Sequence, residues 1–169
     1  MVLSLLLQLD REALDLKVTE LTPLANGRFV ERPASPSLRD ESVTLPDVYG
    51  SLYYTGAGTI AARLPDPARA ERPVVVLRVG GRTRLRATSF VVLDGSAHRL
   101  ENAGGRLFLS GLGPTPLEQM ERSGRVDSGS AVPVFPAAEV IGESSDLAYA
   151  EAERWLALQR AAEGGGSRR

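Results

Sequence analysis

A group of arginines near the middle of the chain is the feature that could most directly do chemistry. Four arginines fall between residues 78 and 86, and no acidic residue lies from 72 to 93. They are Arg78, Arg82, Arg84 and Arg86. A helix is predicted to begin directly after them, and the N–H groups and dipole of a helix N-terminus favour anions. The pattern fits a site for an anion, a nucleotide or an acidic partner, and also a solvated arginine-rich loop.

A histidine and an aspartate at helical spacing are the second candidate for chemistry. Asp94 and His98 are four residues apart and would share one face of a helix. A hydrolase would need a nucleophile within reach of His98 and an oxyanion hole, and the sequence has no G-x-S-x-G elbow. We interpret the pair as an exposed helix pair. The chain is predicted not to be an enzyme.

Composition removes several other kinds of site. The 169 residues include one histidine and no cysteine, which excludes disulfides, thiol catalysis and cysteine-ligated zinc. The glycines at 56–58 and 80–81 lack the motifs of phosphate-binding loops, and Asp47 alone cannot form a metal site. With a formal net charge of −1, the chain does not resemble a general nucleic-acid binder. No cofactor, metal or nucleic acid is therefore expected.

The segments that would position these residues alternate between strand and helix. Val74–Val79 is a β-branched run without alternation, as expected of a central parallel strand. A helix is predicted from Thr88 to Asn102 because its apolar residues form one stripe. The further predicted elements are a strand at Arg106–Leu112, a helix with Thr115 as N-cap, a short strand at Val132–Phe135 and a terminal helix from Ser144. This alternation predicts an α/β fold whose small, mostly parallel sheet is flanked by helices.

The N-terminal quarter is less regular. Residues 1–22 are apolar and then amphipathic, so that both helix and strand fit. Met1–Leu9 is shorter than the about 20 residues of a membrane span and has no basic region of a signal peptide. It is interpreted either as an element on the core or as the cytoplasmic end of a membrane helix. Residues 23–42 predict a linker, with a hairpin turn at Asn26-Gly27, and Pro46 predicts an edge or a bend.

Four stretches, in order, resemble those of one protein family. They are DVYGSLYYTGAGTIAARLPD (47–66), RPVVVLRVGGRTRLRATSFVVL (72–93), AGGRLFLSGLGPTPLEQMERSG (103–124) and VFPAAEVIGESSDLAYAEAERWL (134–156). They are similar to STAS domains (sulfate transporter and anti-sigma factor antagonist), above all to the C-terminal cytoplasmic STAS domain of bacterial SulP-type anion transporters. The resemblance implies one STAS-like domain over 43–160. An extended N-terminal arm (1–22) and the linker would precede it, and a flexible tail (161–169) would follow.

The resemblance also implies a function. The chain would be a non-catalytic regulatory and protein-interaction module of a sulfate or inorganic anion transporter, here without the transmembrane domain. Its partner would be the transporter membrane domain or another STAS protomer, and its location the cytoplasm, with contact to the inner membrane through the N-terminal arm. The loop for partner, anion or weak nucleotide binding would comprise the four arginines with Thr88 and Ser89. The docking residues of the arm would be Leu5, Leu6, Leu7 and Leu9.

One stretch departs from the family pattern. STAS domains of the anti-sigma antagonist kind carry Asp, then hydroxyl residues, then Gly at the start of this helix, and one hydroxyl is phosphorylated. The matching residues here are Arg86, Ala87, Thr88 and Ser89, so that only Thr88 keeps a hydroxyl in register. The departure favours the transporter branch. The alternative is an anti-sigma antagonist-like signalling protein switched by phosphorylation at Thr88 or Ser89.

Overall fold

Six strands form one sheet in the computed structural model, which describes residues 17–24, 28–49, 64–67, 69–79, 87–122 and 132–166. The strands are β1 (Lys17–Pro23), β2 (Phe29–Pro33), β3 (Val43–Tyr49), β4 (Val74–Val79), β5 (Arg106–Leu112) and β6 (Val134–Pro136). The helices of the described part are α1 (Ala87–Asn102), α2 (Pro114–Arg122) and α3 (Glu143–Gly166). The strand order is β2-β1-β3-β4-β5-β6. Because β3 to β6 are parallel, the predicted α/β fold with a mostly parallel sheet is confirmed.

Strand β4 lies between two hydrophobic cores, one on each face of the sheet. Val75 and Leu77 face the core that includes α1, whereas Val74 and Val76 face the core that includes α3. All four are at most 4% exposed. Helices therefore cover both faces of this strand, which is why its sequence shows no polar alternation.

Helix α1 has the apolar stripe that the sequence predicts. Its buried residues are Phe90, Leu93, Ala97 and Leu100. The helix ends in a Schellman motif: the Gly105 N–H donates to the Leu100 carbonyl at 2.8 Å, and the Gly104 N–H donates to the Glu101 carbonyl at 2.9 Å. Gly104 has φ +72°, which a residue without a Cβ adopts at little cost.

The sheet includes two strands that precede residue 43 in the chain, β1 and β2. The sequence predicts an arm and a linker in this part of the chain. Strand β1 pairs antiparallel with β2 and with β3. The predicted hairpin is confirmed, since Pro23 lies opposite Phe29; residues 25–27 of its turn lie outside the described part. Strand β1 belongs to the domain because Val18 packs against one core and Leu21 against the other.

Two local predictions are wrong. Pro46 is not at an edge of the sheet, because it lies inside β3, which pairs with β1 on one side and with β4 on the other. Helix α2 begins at Pro114, and Leu117 donates to the Gly113 carbonyl at 3.2 Å, so that Gly113 and not Thr115 is the N-cap. Pro114 can take the first helical position because its missing N–H has no partner there.

Helix α3 continues to Gly166, into the segment predicted to be a flexible tail. Ion pairs join its later turns to residues that lie just before β3 and β4. Arg160 Nε lies 3.0 Å from Glu41 Oε2, and Glu163 pairs with Arg72, a residue 8% exposed. Among the described residues, no helix has the length and hydropathy needed to cross a membrane.

Candidate functional site

A row of polar side chains crosses four strands on the face of the sheet that packs against α3. Thr19 of β1 lies opposite Asp47 of β3. Asp47 lies opposite Arg78 of β4, which in turn lies opposite Ser110 of β5. Directly opposite residues of neighbouring strands share a face, so these four side chains form one band, which we call the polar row. Thr19, Asp47 and Ser110 are each at most 6% exposed.

An ion pair occupies the centre of the polar row. Arg78 Nη1 donates to Asp47 Oδ2 at 2.5 Å, while Asp47 Oδ1 is buried without a hydrogen-bond partner among the described residues. Burial raises the pKa of the Asp47 carboxyl above its usual range, and the charge and hydrogen bond of Arg78 act against this rise. The carboxylate therefore depends on Arg78 for its charged form.

The row ends in a contact with the start of α3. Ser110 Oγ and Ser145 Oγ are hydrogen-bonded at 3.2 Å, and both residues are 0% exposed. The neighbouring Ser144 is also buried. Two small hydroxyl residues allow the helix to approach the strand closely and satisfy each other in the core. The N-terminal turn of α3 is thereby fixed on β5.

An exposed polar cluster lies beside the row, on the first three strands. Tyr49 Oη donates to Glu31 Oε1 at 2.5 Å, and Lys17 Nζ lies 3.3 Å from the same oxygen. The hydrogen bond from Tyr49, followed by that from Lys17, lowers the pKa of Glu31. These contacts join β1, β2 and β3 where β3 ends.

Arg78 is the one arginine of the predicted binding loop that lies among the described residues. Its guanidinium pairs with Asp47 within the sheet, which gives Arg78 a structural contact in β4. Arg82, Arg84 and Arg86 lie outside the described residues, as do Leu5, Leu6, Leu7 and Leu9. Thr88 lies in the first turn of α1, but its side chain is likewise outside the described part. The binding loop and the docking arm remain predictions.

Ser89, the second predicted phosphorylation site, points into the protein. It is 0% exposed, and its Oγ has no hydrogen-bond partner among the described residues. A kinase could reach this hydroxyl only if the first turn of α1 opened. Phosphorylation of Ser89 therefore has an energetic cost that the sequence does not reveal.

The two buried serines should respond in opposite ways to removal of the hydroxyl. Ser89→Ala should leave stability unchanged or raise it by up to about 1 kcal/mol, because it removes a desolvated group without a partner. Ser110→Ala should cost about 1–2 kcal/mol, because it leaves the Ser145 hydroxyl unpaired. Urea unfolding followed by circular dichroism measures both. A loss at Ser89 as large as that at Ser110 would contradict the assignment.

His98 lies on the surface of α1, as the predicted exposed helix pair requires. Its Nδ1 lies 3.3 Å from Glu101 Oε2, one turn further along α1, and the His98 side chain is 77% exposed. The structure thus gives His98 a local surface contact.

The polar row itself is not evident from the sequence. Asp47 and Arg78 can each be identified as candidate site residues from the sequence. Nothing in the sequences of their strands marks Thr19 and Ser110 as part of the same site. A lone polar residue in an apolar strand, as in RLFLSGL, is the one signal that was available. Assembly of the row depends on the strand register, because a shift by one residue would turn any of these side chains to the other face.

Comparison with known proteins supports the fold. No family model and no curated protein matches the chain. Among solved structures, the chain is similar to a murine anion transporter, Solute Carrier 26 family member A9, in the inward-facing state. The match has a TM-score of 0.58 and 16% sequence identity, and it covers 87% of this chain but 24% of the transporter chain. The likeness shows a shared fold, consistent with a STAS-like α/β domain, over a minor part of that transporter.

Proposed function

We propose that this chain is a non-catalytic, STAS-like interaction module that regulates a SulP-type anion transporter. The observation that carries the proposal is the similarity of 87% of the chain to part of an anion transporter. The four ordered sequence stretches that resemble the STAS domain of such transporters support it independently.

The module would act as a support for the segments that follow β3 and β4. The ion pair between Asp47 and Arg78 lies near the ends of β3 and β4, directly before residues 50–63 and 80–86. A scaffold that fixes the strand ends positions the segments that follow, and binding residues are often carried on segments that connect the elements of a scaffold. The three arginines at 82, 84 and 86 would then face an anionic or acidic partner.

A fractionation experiment tests the proposal. We expect an antibody raised against α3 to detect the chain in the membrane fraction of native cells, either within a longer transporter or bound to one. After formaldehyde cross-linking and detergent extraction, mass spectrometry of the immunoprecipitate should identify peptides of an anion transporter. A competing α3 peptide provides the control for the antibody.

Two results would contradict the proposal. One is quantitative recovery of the chain in the soluble fraction, with no transporter peptide in the cross-linked precipitate. The other is turnover of an ester, phosphate or peptide substrate by the purified chain, which would refute its non-catalytic part.

A further inference from the structure

Three apolar side chains are strongly exposed where α3 begins. Ile141 is 91% exposed, Val140 is 66% exposed and Leu147 is 57% exposed. We call them the α3-entry patch. Single exposed apolar residues are common, but several large ones exposed on one short stretch of chain are typical of interaction sites.

The patch is presented by an ordered turn. The Glu143 N–H donates to the Val140 carbonyl at 3.2 Å, and the Ser145 N–H donates to the Gly142 carbonyl at 2.9 Å. Gly142 has φ +97°, and a Cβ at this position would lie 3.8 Å from the Phe29 ring of β2. These hydrogen bonds define the turn that carries Val140 and Ile141, so the exposure of both side chains belongs to the fold.

The surroundings of the patch are acidic. Glu139, Glu143 and Asp146 are all exposed, and the sequence has no lysine or arginine from residue 126 to 153. Glu143 and Asp146 also stabilise the N-terminus of α3, which accounts for their presence in the first turn. Glu139 precedes the helix and has no such role. An apolar centre with a charged rim is the usual anatomy of a protein interface.

We propose that the α3-entry patch docks on a basic cytoplasmic loop of the transporter membrane domain, with Ile141 entering an apolar pocket of that loop. The inference rests on the proposed function and names the surface that would carry it. Cytoplasmic loops of membrane proteins are enriched in lysine and arginine, which complement the acidic rim. The anionic cytoplasmic leaflet, in contrast, repels such a surface, which favours a protein partner over lipid.

Site-specific photocross-linking in native cells tests this surface. The full chain carries benzoylphenylalanine at position 141, and a matched control carries it at position 158, where Leu158 is 62% exposed on the same helix. Mass spectrometry identifies the linked peptides. We expect the probe at position 141 to link to a lysine- and arginine-rich loop of a multispanning transporter, with a yield at least tenfold above that at position 158.

The rim is tested by charge reversal. With the probe at position 147, Glu139→Lys should reduce the yield about tenfold, whereas Glu121→Lys on α2 should leave it unchanged. Thermal unfolding of each variant confirms that the fold is intact. Equal loss in both variants, or no loss in either, would overturn the role of the acidic rim.

The outcomes separate the two proposals. Linkage to a transporter from position 158 but not from position 141 would overturn the docking surface and leave the proposed function standing. Linkage to no membrane protein from either position would overturn both. Linkage from position 141 to lipid or to a soluble protein would also overturn this inference.

Discussion

Gly105→Ala is expected to destabilise the protein by about 4 kcal/mol or more, a large part of the stability of a typical domain. A Cβ at this position would lie 1.9 Å from the Pro73 carbonyl oxygen and 2.9 Å from its carbon. That oxygen cannot move aside freely, because it accepts a hydrogen bond from Arg106 at 3.2 Å. The added Cβ is attached directly to the backbone of Gly105 and clashes with the backbone carbonyl of Pro73, so side-chain repacking cannot relieve the clash. Urea unfolding followed by circular dichroism measures the loss.

The matched control is the same substitution within α1. Gly95 lies in the helix interior, where an added Cβ would lie 3.8 Å from an Arg99 nitrogen, an ordinary contact. Gly95→Ala should therefore stabilise the protein by about 0.5–1 kcal/mol through helix propensity. If the two variants changed stability by similar amounts, the close approach of Gly105 to Pro73 would be refuted.

The contrast between these glycines shows what the sequence could predict. The end of α1 was predictable because Gly104-Gly105 follows an apolar stripe, which is a local pattern. The close approach of Gly105 to Pro73 was not, since it depends on how two distant segments meet. The apolar stripe of α1 and the β-branched run of β4 are likewise local features, and both predictions are confirmed.

The errors have two physical causes, one local and one long-range. Pro23 and Pro33 suggested a linker, yet each ends a strand, where a missing N–H costs little. Thr115 resembled an N-cap, but Pro114 could itself start the helix. The polar row was unpredictable because Thr19, Asp47, Arg78 and Ser110 come from four strands and meet only through register. Long-range pairing determined the two strands and the polar row, whereas neighbouring residues determined the start of α2.

Arg78→Met is expected to lose about 3 kcal/mol of stability at pH 7 and to recover part of this loss at pH 5. In the native protein, burial and the charge of Glu31 raise the pKa of Asp47, and Arg78 opposes them. Methionine keeps an unbranched apolar stem but removes the guanidinium, and with it the charge and the hydrogen bond. The pKa of Asp47 then rises further above its ordinary value of 3.8.

The sign of the pH effect follows from proton linkage. Between the ordinary pKa and the raised one, the folded variant binds a proton at Asp47 that the unfolded chain releases. Its free energy of unfolding therefore falls as pH rises through this window, by up to about 1.4 kcal/mol per pH unit. Urea unfolding of Arg78→Met and the native protein at pH 5 and pH 7 gives the difference, in which contributions common to both cancel.

The double variant Asp47→Asn with Arg78→Met is the decisive control for this assignment. It removes both ionisable groups of the pair and retains a polar side chain at position 47. The difference in stability between this variant and the native protein should depend on pH only through the titration of Asp47 in the native protein. The variant should therefore regain no stability at pH 5. If Arg78→Met instead lost equal stability at both pH values, Asp47 would not be the carboxylate that Arg78 keeps charged. The polar row would then owe its stability to packing and hydrogen bonds alone.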